Sequence, residues 1–170
     1  MVTMEKLTEI GFEKVGNWEI SKKDTSVIEH TISSHSDRTD LIYAFVSDNQ
    51  VKYIGMTDST LHTRMGLYKS GKNASAGSTN KKVYVEILSL LNSQKKVDIY
   101  VLSNVALPTY KGFRVSIASG IELSLIEHFQ NTTKEIGGLW NKRGTSSKGT
   151  PKSPKSETSK RDSISENSFC

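Results

Sequence analysis

Six side chains stand out for what they could do together. Tyr43 and Tyr53 sit ten residues apart in "LIY" and "YIG", Arg64 and Tyr68 follow one helical turn apart, Glu122 lies in "SIASGIELSLIEHFQ", and Asn141 closes "WN". Phenol hydroxyls orient water or an oxyanion, a guanidinium grips phosphate or carboxylate, and a carboxylate holds a metal ion or accepts a proton. Each has a plainer reading when taken singly. A tyrosine fits a half-buried strand or helix, Arg64 could pair with Glu122, and Glu122 could sit at the edge of its stripe, reaching water or an arginine.

The surrounding segments predict the elements that would carry these groups. "DLIYAFV" (40–46) and "VKYIG" (51–55) are β-branched and aromatic, and the intervening "SDNQ" is turn chemistry, which predicts a hairpin with one tyrosine per strand. Strict alternation puts Lys52 on the face opposite Tyr53. Thr57 or Asp58 can cap a helix on which Leu61, Arg64, Met65 and Tyr68 recur at i, i+3, i+4, i+7, and Gly71 can end it. After a flexible "KNASAGS", Val83, Ile87, Leu90 and Leu91 mark a second helix, "KVDIYVLS" (96–103) a strand, and "NVALPTYKGFRV" a loop. The last helix runs from about Ser116 to Gln130. Glu122 falls on its apolar stripe of Ile121, Leu125, Ile126 and Phe129, where an unpaired glutamate is uncommon.

Composition sets outer bounds. The 170 residues suit one domain with a real core. No run approaches the roughly 18 apolar residues of a membrane span, and the start has no signal-peptide pattern, so the expectation is a soluble, cytoplasmic protein. Cys170 is the only cysteine, which excludes an internal disulfide and a cysteine-based zinc site. The net charge of +5 is unevenly spread. Residues 1–51 carry five basic against nine acidic groups and residues 52–115 ten against three; residues 142–170 carry seven against three. A positive middle suits a polyanion such as DNA, although a solvated lysine surface would give the same count.

Three stretches follow. Residues 1–39 are expected to form an N-terminal wrap of peripheral strand or helix, residues 40–144 the main domain, and residues 145–170 a disordered Ser/Lys-rich tail with too little apolar surface to offset its ordering entropy. The predicted class is α+β, with a small antiparallel sheet of the hairpin plus a third strand, flanked by helices.

The ordered set "LIY", "YIG", a helix arginine, "E..LI" and "WN" resembles the GIY-YIG nuclease superfamily over roughly residues 40–142, and within it the stand-alone restriction enzymes and the phage endonuclease II type. The first motif departs at Leu41, where the family has glycine. The resemblance implies a Mg²⁺-dependent endonuclease acting on double-stranded DNA, with Mn²⁺ as a substitute. It makes Tyr43, Tyr53, Arg64, Tyr68, Glu122 and Asn141 the catalytic set, with Glu122 on the metal, Arg64 on a phosphoryl oxygen, and Gly55 bringing the backbone close to the site. Tyr43 is the candidate base or water-orienting group, which as a base requires its pKa of about 10 to be lowered by positive charge. Lys69, Lys72, Lys81, Lys82, Lys111 and Arg114 are the expected DNA contacts. A sequence-specific type II enzyme is the leading expectation, with a homodimer and a companion methyltransferase as partners it would bring. The alternatives are a phage-type enzyme of loose specificity and a DNA-binding module that does not cleave.

Overall fold

A computed structural model of the protein describes residues 4–103, 108–133 and 138–141. Strands β1 (Glu13–Ile20), β2 (Ile28–Ile32), β3 (Leu41–Ser47), β4 (Gln50–Thr57) and β5 (Val97–Leu102) form one sheet in the order β2-β1-β5-β3-β4. Every neighbouring pair is antiparallel. Helices α1 (Met4–Ile10), α2 (Leu61–Lys69), α3 (Thr79–Asn92) and α4 (Ala118–Thr133) flank it. The α+β class with an antiparallel sheet therefore holds, but the sheet has two strands more than the hairpin and its single partner.

Those two strands come from the segment expected to be a wrap. Val15 and Trp18 of β1 and Ile28 of β2 are buried in the same core cluster as Tyr43, Phe45 and Tyr68. Burying side chains of this size is worth about 1.5–3 kcal/mol each, so residues 13–32 belong to the core. Their mixed polarity hid this, because β2 is an edge strand with one solvated side.

The β3–β4 hairpin turns through Asp48 and Asn49, with φ 51° and 62°. Asn and Asp tolerate this left-handed region, and two such residues match the twist of a tight hairpin. β3 lies between β4 and β5 and is buried at all seven positions. Leu41, Tyr43 and Phe45 face α2 and α3, whereas Ile42, Ala44 and Val46 face α4. A bulge then breaks the alternation in β4: Phe45 pairs with Tyr53 and Val46 with Val51, leaving Lys52 as the additional residue. Val51 and Ile54 consequently share the α4 face, while Tyr53 turns the other way. The Lys52 ammonium donates to Gln50 Oε1 at 2.7 Å, back toward the turn.

Helix α2 is capped by Thr60, whose hydroxyl accepts from the Thr63 amide at 3.2 Å. The cap is later than Thr57 or Asp58; Thr57 instead fastens the preceding turn by accepting from the Ser59 amide. Leu61, Met65 and Tyr68 are buried beneath α2. A short 3-10 turn (Ser70–Asn73) follows α2, and Ser78 caps α3. α4 covers the reverse face with Ala118, Leu125, Ile126 and Phe129. Within the stretch read as loop, β6 (Thr109–Tyr110) and β7 (Phe113–Arg114) make a separate hairpin around Lys111 and Gly112, at φ 49° and 85°. Among the described residues no helix is long and apolar enough to cross a membrane. The tail expected at 145–170 lies outside the described residues.

Candidate active site

The bulge and the i, i+4 spacing of α2 bring Tyr43, Tyr53, Arg64 and Tyr68 to one place. The hydroxyls of Tyr43 and Tyr68 are 2.8 Å apart, and Tyr68 donates to the hydroxyl of Tyr53 at 3.1 Å. Arg64 lies over them. Its Nε donates to the Tyr43 hydroxyl at 2.8 Å and its Nη2 to the Tyr68 hydroxyl at 2.7 Å. Its Cζ also lies 4.4 Å from the centre of the Tyr68 ring. Phe45 packs beneath, its ring centre 5.6 Å from those of Tyr53 and Tyr68.

A hydroxyl has one proton to give, which fixes the direction of the chain. Tyr68 gives its proton to Tyr53, so Tyr43 must give its own to Tyr68 while accepting from Arg64. The Tyr53 proton is then left for an acceptor outside the three phenols. Arg64 uses the Nε–Nη2 edge, on which a carboxylate or phosphate commonly docks, to hold two neutral oxygens. Nη1 reaches Asn80 Oδ1 at 3.4 Å, again a neutral group. Among the described residues Arg64 makes no ion pair, so the plainer expectation that it pairs with Glu122 is not met. The half-buried guanidinium thus keeps its charge among neutral hydrogen-bond partners.

The protonation of the phenols departs from the sequence expectation. Burial pushes Tyr43 far above the usual tyrosine value, and Tyr53 beside it acts in the same direction; the opposing pull of Arg64, through its charge and its hydrogen bond, is too weak to reverse this. Tyr68 is raised likewise, first by burial and then by Tyr43 and Tyr53. Tyr43 and Tyr68 have no exposed surface. Tyr43 is thus a neutral hydroxyl that orients Arg64, and it does not have the lowered pKa that a base at this position requires.

Gly55 shows why a residue without a side chain stands in "YIG". A Cβ there would lie 2.5 Å from the Tyr43 hydroxyl and 2.9 Å from the Tyr53 ring. The glycine lets both phenols press against the β4 backbone. Asn141 is not in the hydroxyl cluster. Its side-chain amide accepts from the Ile54 amide at 3.0 Å and donates to the Ile54 carbonyl at 2.6 Å. With the Trp140 amide donating to the Lys52 carbonyl at 2.7 Å, it lines the free edge of β4 like a short strand.

Glu122 is partly buried on α4, one turn from buried Ala118 and from Leu125 and Ile126, so it lies on the stripe that faces β3 and β4. Its helix is on the other side of the sheet from Arg64. Among the described residues no three His, Cys, Asp or Glu side chains cluster as a ready metal site. The expected basic contacts fall into two groups. Lys69 ends α2 within 3.8 Å of Glu29, Lys72 is held by Asp24 at 3.2 Å and Ser26 at 2.7 Å, and Lys81 and Lys82 follow Asn80 in the first turn of α3. Lys111 and Arg114 are on the β6–β7 hairpin. Asn80 was invisible in the sequence because a polar residue in a first helical turn is ordinary; only the crossing of α2 and α3 places it on Arg64.

The fold is shared with a restriction endonuclease. The structure of restriction endonuclease Hpy188I in complex with product DNA superposes with a TM-score of 0.51 at 19% identity, covering 81% of this chain and 83% of that one. A glutamate-to-alanine mutant of bacteriophage T4 EndoII gives 0.60 at 22% identity, covering 83% of this chain and 99% of that one. At these identities the likeness concerns the fold. No family model and no curated protein sequence matches the chain.

Proposed function

We propose that the protein is a metal-dependent GIY-YIG endonuclease that hydrolyses phosphodiester bonds in double-stranded DNA. The observation that carries this reading is the Arg64 guanidinium, held on three neutral oxygens with no anionic partner among the described residues, beside the basic first turn of α3. Such an arginine is suited to a phosphate oxygen that gains charge during displacement. The shared fold with Hpy188I and T4 EndoII supports the same reading, as does the quoted order of motifs.

In this reading Arg64 binds a nonbridging oxygen through its Nη1–Nη2 end. Tyr43 and Tyr68 fix the plane of the guanidinium, and Tyr53 offers its remaining proton to a water or phosphate oxygen. Glu122 is the residue that would hold a divalent ion; one carboxylate on an apolar stripe fits Mg²⁺, which keeps several waters and takes few protein ligands. When bound, such an ion supplies an acidified water and a counter-charge for the phosphate. Asn141 positions β4, and through it Tyr53 and Gly55. Lys69, Lys72, Lys81, Lys82, Lys111 and Arg114 hold flanking phosphates.

Cleavage at a defined short site, as in a type II restriction enzyme acting as a homodimer beside a methyltransferase, is the finer form of the proposal. The greater overlap with T4 EndoII favours a second form, a phage-type enzyme of loose specificity. Plasmid DNA incubated with the protein in Mg²⁺, with EDTA and Glu122→Gln as controls, separates them on a gel. Discrete metal-dependent fragments support the first form and a smear the second. Intact DNA in a mixture where a mobility shift shows binding overturns the endonuclease reading in favour of a binding module.

A further inference from the structure

We infer that Phe113 is a base-stacking wedge, carried into a DNA groove by the β6–β7 hairpin; this rests on the proposed action on DNA and adds a contact to it. Phe113 is 76% exposed, the most exposed large apolar side chain among the described residues. The hairpin is a two-stranded sheet separate from the main one, and among the described residues no atom lies near the place a Gly112 side chain would take. Among the described residues, Phe113 is not part of either core cluster.

The chemistry around Phe113 selects a polyanion carrying flat rings. It is bracketed in the chain by Lys111 and Arg114, and no acidic residue occurs from Ile99 to Ile121. An exposed aromatic in an acid-free stretch, with a cation on each side of it in the chain, suits phosphates on either side of a base step more than it suits a second copy of this chain. Phe113 stands on a paired strand directly after the two-residue turn, which places the ring at the tip of the hairpin. Stacking on a base requires no particular sequence, because every base has a π-face.

The test uses the full chain in EDTA, where cleavage is suppressed, with a labelled random-sequence duplex and a closed-circular plasmid that a metal-independent topoisomerase relaxes in the presence of the protein. Phe113→Ala should weaken duplex binding about tenfold, with the same salt slope as the unsubstituted protein, and should abolish the unwinding that relaxation traps in the plasmid. Phe113→Trp should bind normally, with an added indole fluorescence quenched by the duplex. Lys111→Ala should instead reduce the salt slope. Equal binding and unwinding by the Phe113→Ala protein overturns the wedge while leaving the endonuclease proposal intact. So does a change confined to sedimentation, which would make Phe113 a contact between copies. If the unsubstituted protein neither binds nor cuts duplex DNA, the functional proposal itself has failed and takes the wedge with it.

Discussion

The Arg64 Nε lies 2.8 Å from the Tyr43 hydroxyl, and the Tyr68 hydroxyl takes the adjacent Nη2 at 2.7 Å. Two phenols thus occupy the edge of the guanidinium where a carboxylate usually sits, but without its charge. A carboxylate there would anchor the arginine and neutralise it; the phenols anchor it and leave the positive charge for a ligand.

Arg64→Ala should slow DNA cleavage by about 10²–10³, the effect of removing one preorganised donor from a developing oxyanion. The loss of stability should stay near 1–2 kcal/mol, since no buried charge is orphaned. Arg64→Lys should restore little rate, because a single ammonium cannot hold both hydroxyls and a phosphate in one plane. Cleavage rates and thermal melts of the two variants check this, and a collapse of folding in both would make Arg64 structural.

The raised phenol values predict an alkaline limit. The folded state keeps protons on Tyr43 and Tyr68 that the unfolded chain releases near pH 10. Their contribution is therefore fully present below about pH 10 and is lost as pH rises above it, since there the unfolded state binds fewer protons. Ultraviolet titration of the six tyrosines should show a late group that ionises only with unfolding. Tyr43→Phe and Tyr68→Phe should each remove one phenol from it, and ionisation of all six near pH 10 in the folded protein would contradict the burial argument.

Gly55→Ala should cost about 1–3 kcal/mol through forced displacement of rings that cannot move apart, because the new methyl would meet the Tyr43 hydroxyl and the Tyr53 ring together. Tyr43→Ala in the same chain should recover part of that loss. Denaturant melts of the double-mutant cycle measure the coupling, and simple additivity would mean that the close approach has no energetic consequence.

Asn141→Ala should leave the Ile54 amide and carbonyl without their partners at 3.0 and 2.6 Å, at a cost of about 1–3 kcal/mol. Hydrogen exchange at the Ile54 amide should accelerate well beyond that of β3 amides. Unchanged exchange, together with lost cleavage, would move Asn141 from the edge of β4 into contact with substrate.

What the sequence by itself determined was local. Alternating β-branched and aromatic residues around "SDNQ" specify a hairpin, the 3.6-residue recurrence of Leu61, Arg64, Met65 and Tyr68 specifies a helix face, and Glu122 is legible because it interrupts an apolar stripe; these patterns arise from neighbours in the chain. The role of residues 13–32, the bulge at Lys52, the meeting of Asn80 with Arg64 and the hold of Asn141 on Ile54 were decided only by tertiary structure. Each depends on partners far apart in sequence, and β1 joins the sheet beside β5, more than 75 residues further along the chain. The ionisation of Tyr43 belongs with these. Its neighbours in sequence suggest nothing unusual about the phenol, but complete burial between the sheet and α2 withdraws the water that a phenolate requires, and one arginine does not replace it.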